Sequence, residues 1–349
     1  MLTQNAILLL QDLIRLESFS GAEDKTAARL EEWFHTYAIP FQRKDNNLWA
    51  TNKYFDPNKP TLLLNSHHDT VQPNQGYQRD PFSPDIEEGK LFGLGSNDAG
   101  GALVSLIATF THYFEKRNLA YNLLMVASAE EESAGEKSLR YLLPDLPKID
   151  VAIVGEPTLM DLAIAEKGLV VFDLSLKGTA SHAAHPNNDN PLMRLPQLIQ
   201  AIEQLQFEKV SPILGAVKAT LTQVNAGKQH NVVPSEVNLV LDVRVNECYT
   251  NEEIEEIVQS RLDCKVSARS LRLKSSSINP EHPLVLAGIR LGKKTYGSPT
   301  LSDQAGLDCP SLKLGPGDST RSHSADEFIY VKEIEEGISF YINLLKQIL

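Results

Sequence analysis

Three short apolar runs set the frame of this chain: Thr61-Leu62-Leu63-Leu64, Leu123-Leu124-Met125-Val126-Ala127 and Ile149 to Val154. Each has strand length and lacks the polar alternation of a strand with one wet face. Between the first two, Leu103, Leu106, Ile107, Phe110, Tyr113 and Phe114 recur at helical spacing. Doubly buried strands alternating with helices predict an α/β fold built on a doubly wound, mostly parallel sheet. In such sheets ligands bind outside the carboxyl ends of the strands.

The residues at those ends are chemically unusual. The first run leads into Ser66-His67-His68-Asp69, the second into Ser128-Ala129-Glu130-Glu131-Glu132, and the third into Gly155-Glu156-Pro157-Thr158. Strand alternation puts His67 and Asp69 on one side and His68 on the other. His67 is thus a candidate metal ligand, with Asp69 fixing its ring through the second nitrogen. Asp98 follows the glycine-rich Gly93-Leu94-Gly95-Ser96-Asn97 just before the apolar helix, where an ordinary helix cap is the alternative reading. That stretch lacks the Lys-Ser/Thr pair and the spacing of a phosphate-binding loop. Near the end of the chain, Ser311-Leu312-Lys313-Leu314 runs into Gly315-Pro316-Gly317, and His323 follows. Two histidines and several carboxylates at one sheet edge suit a pair of divalent ions with mixed nitrogen and oxygen ligands, zinc being the commonest. Spacing alone does not choose among Glu130, Glu131 and Glu132.

The middle of the chain changes character. Residues 169–177 alternate, helical spacing follows at Leu192, Leu195, Leu198, Ile199 and Ile202, and 217–224 reads as a strand. Val237, Leu239, Leu241, Val243 and Val245 alternate strictly, residues 252–262 read as a helix, and 265–273 is strand-like. The order β-α-β-β-α-β is that of a ferredoxin-like unit. Such a sheet leaves a face or an edge free for a dimer. The pattern of the first domain resumes near Pro283, so the expected organisation is a catalytic domain of residues 1–168 and 279–349 with residues 169–278 inserted as a dimerisation or lid domain.

With 33 Lys and Arg against 45 Asp and Glu, the net charge is −12, which argues against a nucleic-acid partner. The three cysteines, Cys248, Cys264 and Cys309, are far apart and read as free thiols in a reducing cytoplasm. The apolar stretch Ala6 to Leu10 is short and is followed by Asp12 and Arg15, unlike a signal peptide. No stretch is long enough to cross a membrane.

In order along the chain stand Ser66-His67-His68-Asp69-Thr70-Val71-Gln72-Pro73, Gly93-x-Gly95-x-x-Asp98, Glu130-Glu131-Glu132, Gly155-Glu156-Pro157-Thr158, Gly178-x-x-x-His182-x-x-x-Pro186, Asn231-Val232-Val233-Pro234, Thr300-Leu301-Ser302-Asp303 and Gly315-Pro316-Gly317 with His323-Ser324-Ala325-Asp326-Glu327. Together these motifs resemble the co-catalytic zinc deacylases and exopeptidases, a family that includes acetylornithine deacetylase, succinyl-diaminopimelate desuccinylase, aminoacylase and glutamate carboxypeptidase. The resemblance covers essentially the whole chain. It implies two zinc ions per chain, replaceable by cobalt: His67 and Glu156 on one, Glu132 and His323 on the other, Asp98 bridging both. It makes Glu131 the general base, and His182 the histidine that reaches a partner subunit's site and stabilises the oxyanion. Asn231 and Arg244 match substrate-contacting positions, a surface ion pair being the alternative for Arg244. The family often carries Asp-x-Lys-Gly after the bridging aspartate, whereas this chain has Asp98-Ala99-Gly100-Gly101. The implied activity is that of a cytoplasmic homodimer hydrolysing the amide of an N-acyl amino acid. N-acetylornithine, and with it arginine biosynthesis, ranks first. N-acetylcitrulline and N-succinyl-diaminopimelate come next, then a dipeptidase or carboxypeptidase reaction. A non-catalytic dimeric binding protein predicts a lost ligand or base, and none is lost.

Overall fold

The computed structural model describes residues 1–349. They divide into two compact units, one formed by Met1–Ile164, Ser277–Tyr296 and Ser302–Leu349, the other by Ala165–Ser276 and Gly297–Leu301.

The first unit is built on a mixed, mostly parallel sheet. Four strands form its parallel centre, in the spatial order Asn122–Ser128, Thr61–His67, Val151–Val154 and Ser311–Lys313. Asn47–Thr51 joins one flank antiparallel, and Ala163 pairs with Lys313 antiparallel on the other. The central strands are buried at every position, as their unbroken apolar runs require. Register fixes what stands side by side at the carboxyl edge: His67 is level with Ser128, Asn65 with Val154, and Val154 with Lys313. Residues just beyond these positions therefore emerge together.

Helix Gly101–Tyr113 is apolar almost all round and is buried along nearly its whole length. It packs against the Thr61–His67 strand and the helices Leu2–Ile14 and Val331–Lys346. Another layer gathers Leu63, Leu124, Val126, Ala152 and Val154 with Trp49, Leu139, Leu142 and Leu146. A small antiparallel sheet that the sequence pattern does not announce pairs Phe328–Tyr330 with Lys90–Phe92, and that strand with Ile86–Glu87. No helix is long and apolar enough to cross a membrane.

The second unit is a four-stranded antiparallel sheet in the spatial order Lys218–Ala226, Glu236–Val245, Gly168–Lys177, Lys265–Ala268. Helix Pro191–Glu203 follows the first strand in the chain, and helix Asn251–Arg261 the third. Alternate residues Val170, Phe172, Leu174 and Leu176 face Leu239, Leu241 and Val243 and the helix residues Leu198, Ile202, Ile254 and Val258 in one core. Phe172 is fully buried there. A Phe172→Ala protein is expected to lose about 3–5 kcal/mol of folding stability, read as a lower denaturation midpoint in urea. A loss under about 1 kcal/mol, the size of a surface substitution, would mean that this core does not hold the unit together.

Candidate active site

The carboxyl edge of the central sheet assembles His67, Asp98, Glu131, Glu132, Glu156 and His323 in the first unit. His67 ends its strand and is buried. Its Nε2 lies 3.6 Å from Asp98 Oδ1 and 3.7 Å from Glu156 Oε1. His323 Nε2 lies 3.0 Å from Glu132 Oε2 and 3.6 Å from Asp98 Oδ2. The two Asp98 oxygens thus face different imidazoles. His67, Asp98 and Glu132 each offer a ligand atom within 4.8 Å of the others, and so do His67, Glu131 and Glu156.

The three adjacent glutamates, alike in sequence, part ways here. Glu130 takes a left-handed backbone (φ 54°), and its Oε2 accepts the Lys137 N–H at 3.0 Å within its own loop. Glu131 turns to His67 and Glu156, and Glu132 to His323. Buried carboxylates shape the turn. Glu23 Oε1 accepts the Glu130 N–H at 3.2 Å. Asp69 accepts the Glu131 N–H on Oδ1 and the Glu132 N–H on Oδ2, both at 3.1 Å, with the Ser20 hydroxyl at 2.6 Å on Oδ2. Asp69 Oδ1 also stands 3.4 Å from His67 Nδ1, and the Asp69 carbonyl 3.1 Å from the same nitrogen. His68 faces away. Its Nε2–H donates to the Asn46 carbonyl at 2.8 Å, and burial brings its pKa down to about 4, leaving it a neutral structural residue.

Asp98 does not cap the following helix. That helix begins at Gly101 without a side-chain cap, and Asp98 (φ −119°, ψ 97°) lies in a non-helical link before it. The link starts from Gly95 at φ 73°, where a Cβ would come within 2.5 Å of Thr70 Cγ2, so only glycine fits. Two further buried acids, Asp303 and Glu327, stand in motifs to which the sequence assigns no role of their own. Glu327 Oε1 accepts the N–H groups of Asn97 and Asp98 at 2.8 and 2.9 Å. Asp303 Oδ2 accepts from Asn65 Nδ2 at 2.9 Å and Ser128 Oγ at 2.6 Å, between strands beneath the site. Lys313, also buried, lies level with Val154, and its charge acts to lower the Glu156 pKa.

The electrostatics call for a cation. Burial, then the charges of Asp98 and Glu132, raise the Glu156 carboxyl well above its ordinary range despite His67. Glu131 rises likewise through burial and the charges of Glu156, Asp303 and Glu132, with His67 opposing. Burial, then the Asp98 charge, push Glu327 up to about 8. Hydrogen bonding to Glu132 raises His323 to about 9. Burial works against the His67 cation, but Asp69 and Asp98 raise its pKa well above the usual value. Bare, the cluster holds extra protons because its acids are crowded and poorly hydrated. A nitrogen-and-oxygen donor set of this kind suits divalent metal, which would take the place of those protons.

The other three sequence candidates lie in the second unit. Ser181–His182 pairs antiparallel with Val232–Val233, and the Ala183 N–H donates to the Asn231 carbonyl at 2.9 Å, so His182 and Asn231 share one exposed ribbon. The ring of His182 accepts the Ala184 N–H at 3.1 Å through Nδ1. Arg244 is engaged by its neighbour on the same strand face: Nε and Nη2 bond the two Asp242 oxygens at 2.9 and 3.1 Å. Arg244 and Asp242 thus form an ion pair in this structure.

Residues 63–347 match the sequence profile of Peptidase family M20/M25/M40. A curated relative, the succinyl-diaminopimelate desuccinylase of Rhodospirillum centenum (strain ATCC 51521 / SW), is 26% identical over 98% of this chain and 96% of its own length. Among solved structures, the M20 family metallo-carboxypeptidase Sso-CP2 from Sulfolobus solfataricus superposes with a TM-score of 0.78 at 16% identity, covering 99% of both chains. The Bacillus subtilis YXEP protein, described as a dinuclear metal-binding peptidase of the M20 family, gives 0.73 at 16% identity over 99% of this chain and 97% of its own. The chain belongs to Peptidase family M20/M25/M40 and is a metal-dependent hydrolase.

Proposed function

We propose that the chain hydrolyses the amide bond of an N-acyl amino acid at a pair of divalent ions, zinc in the first instance. The observation that carries this reading is Asp98, whose two oxygens face His67 and His323 separately. His67 and Glu156 would hold one ion, His323 and Glu132 the other, with Asp98 shared. Such ions supply positive charge that polarises an amide carbonyl and makes water more acidic. Glu131, between His67 and Glu156, accepts the proton of the attacking water and hands it to the leaving amine. Asp69 holds the His67 ring and the Glu131–Glu132 turn in place while this happens.

The strand order and helix positions of the second unit support its reading as an inserted ferredoxin-like dimerisation domain, close to residues 169–278. The resemblance supports a cytoplasmic homodimer in which His182 stabilises the oxyanion in the partner subunit's site and Asn231 contacts substrate. Arg244 spends Nε and one Nη2 proton on Asp242, and its Nη1 donors are the ones a substrate carboxylate would engage.

The substrate ranking changes from the one the sequence suggests. The curated relative carries the desuccinylase name, which points to lysine rather than arginine biosynthesis, so N-succinyl-diaminopimelate moves ahead of N-acetylornithine. The test is amine release by zinc-loaded protein from both compounds, N-acetylcitrulline, N-succinylornithine and a plain dipeptide, each with and without chelator. Chelator-sensitive turnover of an acyl amino acid is expected. Turnover of the dipeptide alone would replace the deacylase reading with a peptidase one, and turnover that survives chelation would remove the metal from the reaction.

A further inference from the structure

Asp98 occupies the centre of the site on a stretch of backbone that cannot hold itself. Asp98 and Ala99 are non-helical, between the left-handed Gly95 and the helix that starts at Gly101. Buried N–H groups in such a link find no partner in a helix or ladder and need one from elsewhere. They find it 229 residues further on: the N–H groups of Asn97 and Asp98 converge on the same oxygen of Glu327, at 2.8 and 2.9 Å. Glu327 is 1% exposed.

The mount is itself anchored. The Glu327 carbonyl accepts the Gly93 N–H at 2.9 Å. Asp326 Oδ1 accepts the Gln78 and Arg79 N–H groups at 3.0 and 2.9 Å. The next residue begins the Phe328–Tyr330 strand, with Phe328 level with Phe92. At the other end of the same segment stands His323, whose carbonyl accepts from Asn74 Nδ2 at 3.0 Å. One segment thus carries the His323 imidazole and, four residues later, the acceptor that sets the Asp98 backbone. A single carboxyl oxygen with two lone pairs satisfies both backbone N–H groups, whether the carboxyl is charged or neutral.

We propose that Glu327 is a positioning residue for the metal pair: its Oε1 fixes the Asn97–Asp98 backbone so that the two Asp98 oxygens face His67 and His323. The assignment rests on the metal reading given above. What Glu327 contributes is reach, so the side-chain length matters more than the charge.

Two substitutions separate these. Glu327→Gln keeps the length and an acceptor oxygen, whereas Glu327→Asp keeps the charge and draws the oxygen back by one methylene. Zn2+ binding to chelator-stripped full-length protein is measured by calorimetry, with thermal unfolding as the check on folding. Glu327→Gln is expected to bind zinc within about threefold of the wild type, and Glu327→Asp about 10–100-fold more weakly, the range seen when groups supporting metal ligands are removed. At saturating zinc, Glu327→Asp is expected to lower kcat and leave KM within about twofold, because Glu327 supports a ligand rather than the substrate. A merely structural role would lower the unfolding temperature and leave zinc affinity unchanged. Zinc binding by Glu327→Asp equal to wild type, or by Glu327→Gln as weak as Glu327→Asp, overturns the proposal while leaving the metal site standing. Failure of the wild type to take up zinc overturns the metal reading itself, and the positioning role with it.

Discussion

A Glu131→Ala protein is expected to retain both metal ions and to turn over substrate at least about a hundredfold more slowly, the size of effect that removal of a general base produces. Glu131 has two possible places in the geometry. It stands with His67 and Glu156 in a group whose donor atoms lie within 4.8 Å, which on distance alone would admit it as a ligand. Yet Asp98, Glu156 and Glu132 already give each of the His67 and His323 imidazoles a carboxylate of its own and a shared one. Removing a surplus carboxylate leaves those pairs intact, whereas removing a ligand empties a site. Metal content separates the two roles. Two ions with slow turnover make Glu131 the base, one ion makes it a ligand, and near-normal turnover with two ions removes it from the chemistry. Glu131→Gln repeats the test without opening a cavity, and the same loss is expected because the amide cannot accept the proton at neutral pH.

The parts of this site that can be read from sequence are those placed by long apolar strands. His67, Glu156 and the Glu130-Glu131-Glu132 run, among whose members spacing does not choose, follow runs that have to be central in the sheet, and parallel strands bring their carboxyl ends to one edge. The rest depends on contacts between distant residues. Asp98 stands where the sequence puts it but not in the conformation expected, because the N–H groups of its link are satisfied by Glu327 and not by a helix turn. Glu23, Asp303 and Glu327 are buried acids in polar stretches, and no periodicity distinguishes such an acid from a solvated one. The fork of Arg244 is turned by Asp242, two residues away on the same strand face, a pairing that period-two alternation permits but does not require. The pairing of Phe328–Tyr330 with Lys90–Phe92 escaped notice because three-residue strands carry too little pattern.

Asp69 is where loss of a single side chain is expected to do the most combined damage. An Asp69→Ala protein should bind zinc about 10–100-fold more weakly, lose roughly 2–4 kcal/mol of stability and show turnover reduced by at least about a hundredfold. The side chain is fully buried and joins two halves of the site. Toward His67 it sets the ring, and toward Glu131 and Glu132 it takes two consecutive backbone N–H groups, one on each oxygen. Alanine leaves both N–H groups without an acceptor in a place water reaches poorly, and each such group costs about 1–3 kcal/mol. The turn then has reason to reorganise, and with it Glu132 and Glu131, the proposed ligand and the proposed base, move together. Asp69→Asn tests the same idea with the volume kept. Its single amide oxygen can accept one N–H, but its NH2 group meets the other as donor against donor, so the loss should remain most of that seen with alanine. Calorimetric zinc titration, urea unfolding and kcat on the same preparations distinguish the causes. If zinc affinity stays at the wild-type level while stability falls, Asp69 is a structural strut only. If all three fall together, and in Asp69→Asn as well, its two oxygens tie the His67 ring to the Glu131–Glu132 turn as one unit.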